Sequence, residues 1–91
     1  MIYKGKIVML TGSWASGLGV LVVDDKKRGK VPVPCERAQT ERALACAFGD
    51  SDGPAGKDIY YRIDEYGILL DFHPSEDAPP EIVRQYEEAI P

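Results

Sequence analysis

The sequence has few of the residues that build metal and redox centres in small proteins. Of its 91 residues, two are cysteine, one is histidine and one is tryptophan. Cys35 and Cys46 lack the spacing of a zinc motif, and His73 has no cysteine or histidine partner at ligand spacing. A disulfide framework in so small a secreted domain normally has more cysteines. These shortages predict reduced cysteines, no metal site and no cofactor.

Long apolar runs and phosphate-binding loops are also missing. The longest apolar stretch, residues 17–23, is too short to span a bilayer, and the N-terminus is charged before any apolar run develops. Residues 12–17 have Walker-like glycine spacing, but Leu18 and Gly19 stand where the phosphate-binding lysine and its neighbour must follow. Residues 50–53 resemble a calcium loop without its closing glutamate. We predict a cytoplasmic protein that is not an enzyme and contacts no membrane.

The length and the charge pattern favour one small domain with two unlike halves. A chain of 91 residues forms a single domain, 1–91, with a small core. Residues 1–49 carry eight Lys or Arg against four Asp or Glu, a net charge of +4, whereas residues 50–91 carry three against eleven, a net charge of −8. This asymmetry is typical of a basic binding face with an acidic tail, and equally of two solvated faces.

Short apolar segments separated by turn residues predict five β-strands. The predicted strands cover residues 2–10, 17–23, 30–34, 57–63 and 68–72. Turns are expected over residues 24–29 and 64–67, where aspartate and glycine are placed to open and close a hairpin. Pro32 and Pro34 have no N–H groups, and both face the same edge of the third strand. This strand therefore lies at a free edge of the sheet or at a barrel gap.

Two helices are predicted between and after these strands. The first is capped by Thr40 and stopped by Gly49, and one of its faces consists of Ala43, Leu44, Ala47 and Phe48. The second covers residues 77–90, where the early prolines are tolerated because the first N–H groups of a helix have no helical partner. Its apolar face, Ile82, Val83, Tyr86, Ala89 and Ile90, packs either on the sheet or on a partner protein.

The predicted order β-β-β-α-β-β is that of an OB fold. We expect a mainly β domain, with a five-stranded OB-like barrel over residues 1–73 and an amphipathic helix over residues 77–90 packed on it. An SH3-like barrel also has five strands and is the alternative. The helix between the third and fourth strands favours the OB-like topology.

Several short segments resemble the cold-shock and S1 group of nucleic-acid-binding OB modules. Residues 5–7 (Gly-Lys-Ile) resemble the opening of a cold-shock strand, and residues 16–21 (Ser-Gly-Leu-Gly-Val-Leu) resemble the RNP1 motif. Residues 31–34 (Val-Pro-Val-Pro) occupy the place of RNP2. Residues 56–64 and 67–70 resemble the last hairpin of an S1 module. The resemblance implies the OB fold and single-stranded nucleic acid as a ligand class.

The positions that stack bases in that group are not aromatic here. Leu18 and Val20 replace the RNP1 phenylalanines, and Pro32 and Pro34 replace the RNP2 phenylalanine and histidine. We therefore expect a non-catalytic interaction module that binds a protein partner or serves as an accessory subunit. The alternative is weak single-stranded RNA or DNA binding through the basic N-terminal half. The candidate binding surface consists of Lys4, Lys6, Trp14, Lys26, Lys27, Arg28, Lys30, Tyr60 and Tyr61.

Overall fold

The computed structural model describes residues 1–12, 17–49 and 53–89. In these ranges five strands and two α-helices follow one another along the chain. Their bounds are β1 Ile2–Gly12, β2 Leu18–Asp25, β3 Gly29–Glu36, α1 Arg37–Phe48, β4 Asp58–Ile63, β5 Leu69–Pro74 and α2 Pro80–Glu88. A short 3-10 helix, Ser75–Asp77, joins β5 to α2. The predicted mainly β fold is confirmed.

All five strands belong to one antiparallel sheet in the order β3-β2-β1-β4-β5. The two edge strands, β3 and β5, come into contact without strand pairing, so the sheet curls towards a barrel but does not close. This arrangement is compatible with an OB-like barrel. The prediction that the proline-containing strand lies at a free edge is also confirmed, because β3 pairs only with β2.

β1 is the central strand, and a bulge changes its direction. Residues 2–6 of β1 pair with β4 and residues 5–12 pair with β2, so the strand has both partners only at Gly5 and Lys6. The pairing register with β2 shifts between Ile7 and Met9, so Val8 is an extra residue on β1. A bulge bends its strand and increases the local twist. This bend lets the sheet curl around its core.

The core lies inside the curled sheet and is closed at one end by α1. Its buried members are Ile7, Leu21, Val23, Val33, Cys35, Leu44, Ile59 and Tyr61. Strand residues alternate between the two faces, so the strands supply most of this set, while α1 contributes Leu44. Cys35 is buried in the core and Cys46 is exposed, and both thiols are free.

Helix α1 begins earlier than predicted and has a different cap. The predicted cap, Thr40, is buried inside the helix, and the N-cap is Glu36. The Glu36 carboxylate accepts hydrogen bonds from the N–H groups of Ala38, at 3.2 Å, and Gln39, at 2.7 Å. These bonds satisfy first-turn donors directly after β3, so the strand runs into the helix without a loop.

The apolar face predicted for α1 is only half covered. Leu44 is buried in the core, and the Phe48 ring stacks on that of Phe72 with centroids 6.4 Å apart. Ala43 and Ala47 belong to the same predicted face but remain exposed. The core therefore covers only part of the predicted stripe, and its small residues face outward.

Helix α2 packs against the outer side of β1 and β4. Ile82 is its buried residue, and the Tyr86 ring meets the Tyr60 ring edge-on with centroids 5.5 Å apart. Ile90, predicted on the same face, lies outside the described residues. In the described part of the chain no helix combines the length and apolarity needed to cross a membrane.

Candidate interaction surfaces

Lys4 and Tyr60, two of the predicted binding residues, meet on the outer face of the sheet. They are cross-strand partners on β1 and β4, and the Lys4 Nζ lies 4.9 Å from the centroid of the Tyr60 ring. The same ammonium lies 3.6 Å from Oδ2 of Asp58. An ammonium over an aromatic face is attracted by the ring electrons. Lys4 is therefore held by two neighbours from β4.

Lys27 extends this cluster to α2. Its Nζ lies 5.9 Å from the centroid of the Tyr86 ring, and Tyr86 in turn contacts Tyr60. A cavity of about 220 Å³ lies among these groups, with Tyr3, Lys4, Lys27 and Tyr86 in its lining. We call these residues together with Tyr60 the tyrosine–lysine surface. The spacing of Tyr86 predicts only that it lies on the apolar face of α2. The sequence does not show that α2 packs against β4, which brings Tyr86 to this surface.

Tyr61 lies in the core and not on a binding surface. Its exposed fraction is 0% and that of Tyr60 is 7%, so neither of the two tyrosines in the candidate binding surface is exposed, although neighbours in a strand face opposite sides. β4 lies inside the sheet, with the core on one face and α2 on the other. Both faces of the strand are therefore covered.

The Tyr61 hydroxyl is part of a hydrogen-bonded network that holds the β2–β3 turn. It donates to Asp25 Oδ2 at 2.5 Å and accepts from the Arg28 guanidinium at 2.9 Å. The backbone N–H groups of Lys27 and Arg28 donate to Asp25 Oδ1. The Arg28 guanidinium also lies 3.8 Å from the centroid of the Tyr3 ring. Arg28 is thus committed to the turn and is not a free cation for a ligand.

The network sets the charge state of Asp25. Burial acts to raise the pKa of this carboxyl, but the hydrogen bonds from Tyr61, Lys27 and Arg28, with the Arg28 charge, outweigh it and hold the pKa below its ordinary value. The same carboxylate, added to the effect of burial, raises the pKa of the Tyr61 hydroxyl. The Asp25 anion is therefore more stable in the folded protein than in the unfolded chain.

We predict that this carboxylate makes the protein sensitive to acid. A group with a lowered folded pKa contributes its full stability above its unfolded pKa of about 4, and this contribution is lost as the pH falls through the folded value. Urea unfolding between pH 2 and pH 6 measures the effect. The Asp25→Asn variant is less stable at pH 6, and its free energy of unfolding falls less on acidification. Parallel pH profiles for the two proteins would contradict this assignment.

The remaining predicted lysines do not form one basic patch. Lys30, Asp24, Lys6 and Asp58 are successive cross-strand partners from β3 to β4. Positive and negative side chains thus alternate across the outer face, because β4, from the acidic half of the sequence, pairs directly with the basic β1. Lys26 is exposed in the turn. Trp14, also a predicted binding residue, lies outside the described residues.

The free edge of β5 forms a second surface. The Ile63 N–H donates to the Met1 carbonyl, and the Ile7 N–H donates to the Lys57 carbonyl, so the odd-numbered positions along β4 bond to β1. Backbone hydrogen bonds alternate between the two neighbours of an antiparallel strand, so the backbone groups of Tyr60 and Arg62 bond to β5. Their partners there are His73 and Asp71. The intervening residue, Phe72, therefore directs its backbone N–H and C=O away from the sheet.

The other edge is blocked by proline. Because proline cannot donate to a ladder, Pro32 and Pro34 direct their nitrogens away from β2, and Val31 and Val33 carry the pairing. The open edge of β3 therefore presents carbonyl oxygens without donors at these two positions. A second strand pairs poorly with such an edge. β5 has a single proline, Pro74, at its last position.

An apolar groove of about 440 Å³ runs between α1 and the open edge of β5. From α1 it is lined by Gln39, Ala43 and Ala47, and from β5 by Leu70, Phe72 and Pro74. The Leu70 side chain is 62% exposed, and Tyr66 and Ile68, just before β5, are exposed as well. We call this groove, with the free edge of β5, the β5 groove. Sequence reasoning missed it because the groove depends on the distance between a helix and a strand far apart in the chain.

No family model matches this chain, and no match was found among the curated proteins or the solved structures. Within the described residues, no group of three or more His, Cys, Asp or Glu side chains is arranged to hold a metal ion. His73 lies on β5 with its Nε2 3.9 Å from Asp71 Oδ2.

Proposed function

We propose that this protein is a non-catalytic interaction module that binds an extended segment of a partner protein in the β5 groove. The observation that carries the proposal is the outward direction of the Phe72 backbone N–H and C=O on the free edge of β5, where proline occupies only the last position, Pro74. An extended segment that adds to such an edge gains main-chain hydrogen bonds, and pockets beside the edge accept its alternate side chains.

Three features of the groove support an extended peptide as its occupant. The α1 wall includes Ala43 and Ala47, two small exposed residues that allow a backbone to approach closely. The exposed side chain of Leu70 provides apolar contact next to the edge. The opposite edge of the sheet, β3, is blocked by Pro32 and Pro34, so an added strand pairs with the β5 edge and not with the β3 edge.

We predict that the full-length protein binds extended peptides and that the binding is localised. Amide shifts in an NMR titration with a library of alternating apolar and polar ten-residue peptides are expected at Phe72, Ala43 and Ala47. Leu70→Asp weakens binding about tenfold, because it introduces a charge into the apolar wall. The control is Met9→Asp, which changes an exposed apolar residue of β1 outside the groove lining. The proposal fails if no peptide binds, or if the shifts avoid β5 and α1.

Single-stranded nucleic-acid binding is the second candidate function. It is favoured by the tyrosine–lysine surface, where Lys4 and Lys27 lie beside tyrosine rings. The resemblance to the cold-shock and S1 group supports this candidate, because modules of that group bind single-stranded nucleic acid. Titration with mixed RNA and DNA oligonucleotides at low and high salt distinguishes the candidates. Shifts at Lys4, Lys27 and Tyr86 that fade with salt support nucleic acid, and an absence of shifts at low salt excludes it.

A further inference from the structure

We infer that the segment bound in the β5 groove has an apolar centre and Lys or Arg residues on both flanks. The inference rests on the proposed function and specifies the chemistry of the partner. Its basis is the excess of carboxylates over cations around β5. Arg62 is paired with Asp71, and Lys57 lines one cavity with Glu76 and Asp77. Strand addition itself is indifferent to side-chain charge, so the charges around the edge determine which extended segments bind.

The charged residues in the lining of the groove are both acidic. They are Glu36, at the start of α1, and Asp71, on β5. Arg62 holds Asp71 in an ion pair made of two hydrogen bonds, and these bonds lower the pKa of that carboxyl. Glu36 is exposed and accepts hydrogen bonds from two N–H groups of the helix. It forms no ion pair with a cation of the described residues. Its negative charge is therefore available to a ligand.

The chain on either side of β5 adds further carboxylates. Glu65 lies in the turn before β5, and Glu76 and Asp77 lie in the 3-10 helix directly after it. All three are exposed, and within the described ranges none is joined to a Lys or Arg by an ion pair. β5 has six residues, which corresponds to about 20 Å of extended chain. An added strand of that length meets apolar groups in its middle and carboxylates near both ends.

A partner with acidic flanks would face the same carboxylates and be repelled. Rim charges contribute little energy individually, but several of the same sign discriminate between ligands at low ionic strength. The discrimination is screened at high salt, where the Debye length becomes shorter than the distance between the charges. A difference between basic and acidic peptides that decreases with salt is therefore the expected signature.

The test uses three peptides with the same alternating Val-Thr centre and with two Lys, two Ser or two Glu residues at each end. Affinities for the full-length protein are measured by NMR titration at about 20 mM and about 500 mM salt. At low salt the lysine peptide is expected to bind about tenfold more tightly than the glutamate peptide, with shifts at Phe72. At high salt this ratio is expected to fall to about twofold.

Variants separate the charge effect from general weakening. Glu65→Gln combined with Glu76→Gln and Asp77→Asn, all outside the groove lining, should reduce the preference for lysine flanks to about twofold, while the serine peptide keeps its affinity. Glu81→Gln, an exposed change on α2, is the matched control. Equal affinities of all three peptides, with shifts still at Phe72, would overturn the charge inference alone. If no peptide shifts β5 or α1, the proposed function and this inference both fail.

Discussion

Replacing Asp25 by alanine lowers the free energy of unfolding by about 3 kcal/mol. The carboxylate is 4% exposed and accepts hydrogen bonds from Tyr61, Arg28 and the N–H of Lys27. Its removal leaves the buried Tyr61 hydroxyl without its acceptor and the Arg28 guanidinium without its counter-charge. It also removes the acceptor that orders the β2–β3 turn. Chemical denaturation, monitored by the fluorescence of the tyrosines and the tryptophan, measures this loss.

Asp24 provides the control for that prediction. It precedes Asp25 in β2, carries the same charge and is exposed on the opposite face of the sheet. Asp24→Ala is expected to change the free energy of unfolding by less than about 1 kcal/mol, as is typical of exposed surface charges. If the two alanine variants were equally stable, the network around Asp25 would have no special role in stability.

Replacing Gly5 by alanine is expected to destabilise the protein by about 3 kcal/mol through overpacking. A Cβ atom at Gly5 would lie 2.6 Å from the Asp24 carbonyl oxygen, 2.6 Å from Val23 Cγ1 and 2.9 Å from the Asp25 Cα. Two of these atoms belong to the backbone of β2, which is paired with β1 at this point. Relief therefore requires β2 to move away from β1 where the two strands cross the core. Thermal unfolding by circular dichroism measures the effect.

Gly29 is the matched glycine control. It closes the β2–β3 turn with a φ of +76°, and a Cβ atom there would meet no atom within 4 Å. Gly29→Ala therefore costs only the conformational strain of an L-residue at positive φ, about 1–2 kcal/mol. A larger loss at Gly29 than at Gly5 would show that conformational strain in the turn, and not strand contact, limits stability.

Local patterns predicted the elements of this fold well. All five strands occur near their expected positions, because each is a short apolar run bounded by turn residues. Pro32 and Pro34 also placed β3 at an edge, since missing N–H groups exclude a central position whatever the rest of the sheet does. Helix caps were less predictable. Glu36 caps α1 in place of Thr40 because β3 continues to the helix without a loop.

Charge and exposure could not be predicted from local sequence. The count by halves left a basic binding face and two solvated faces as alternatives, whereas β4 pairs with β1 and inserts Asp58 beside Lys4 and Lys6. Tyr60 and Tyr61 alternate as neighbours in a strand must, yet both are covered because α2 folds back over β4. The deciding partner lies more than fifty residues away for the two lysines and 26 residues away, at Tyr86, for Tyr60.

The sequence by itself determined the strands, the two helices and the blocked edge of β3, because these depend on side-chain periodicity and on backbone donors that proline lacks. Only the tertiary structure decided where the open edge lies and what lines it. The β5 groove exists because α1, packed through Leu44, leaves Ala43 and Ala47 uncovered opposite the outward backbone of Phe72. That juxtaposition depends on how a curled sheet and a helix meet in space, which no local pattern encodes.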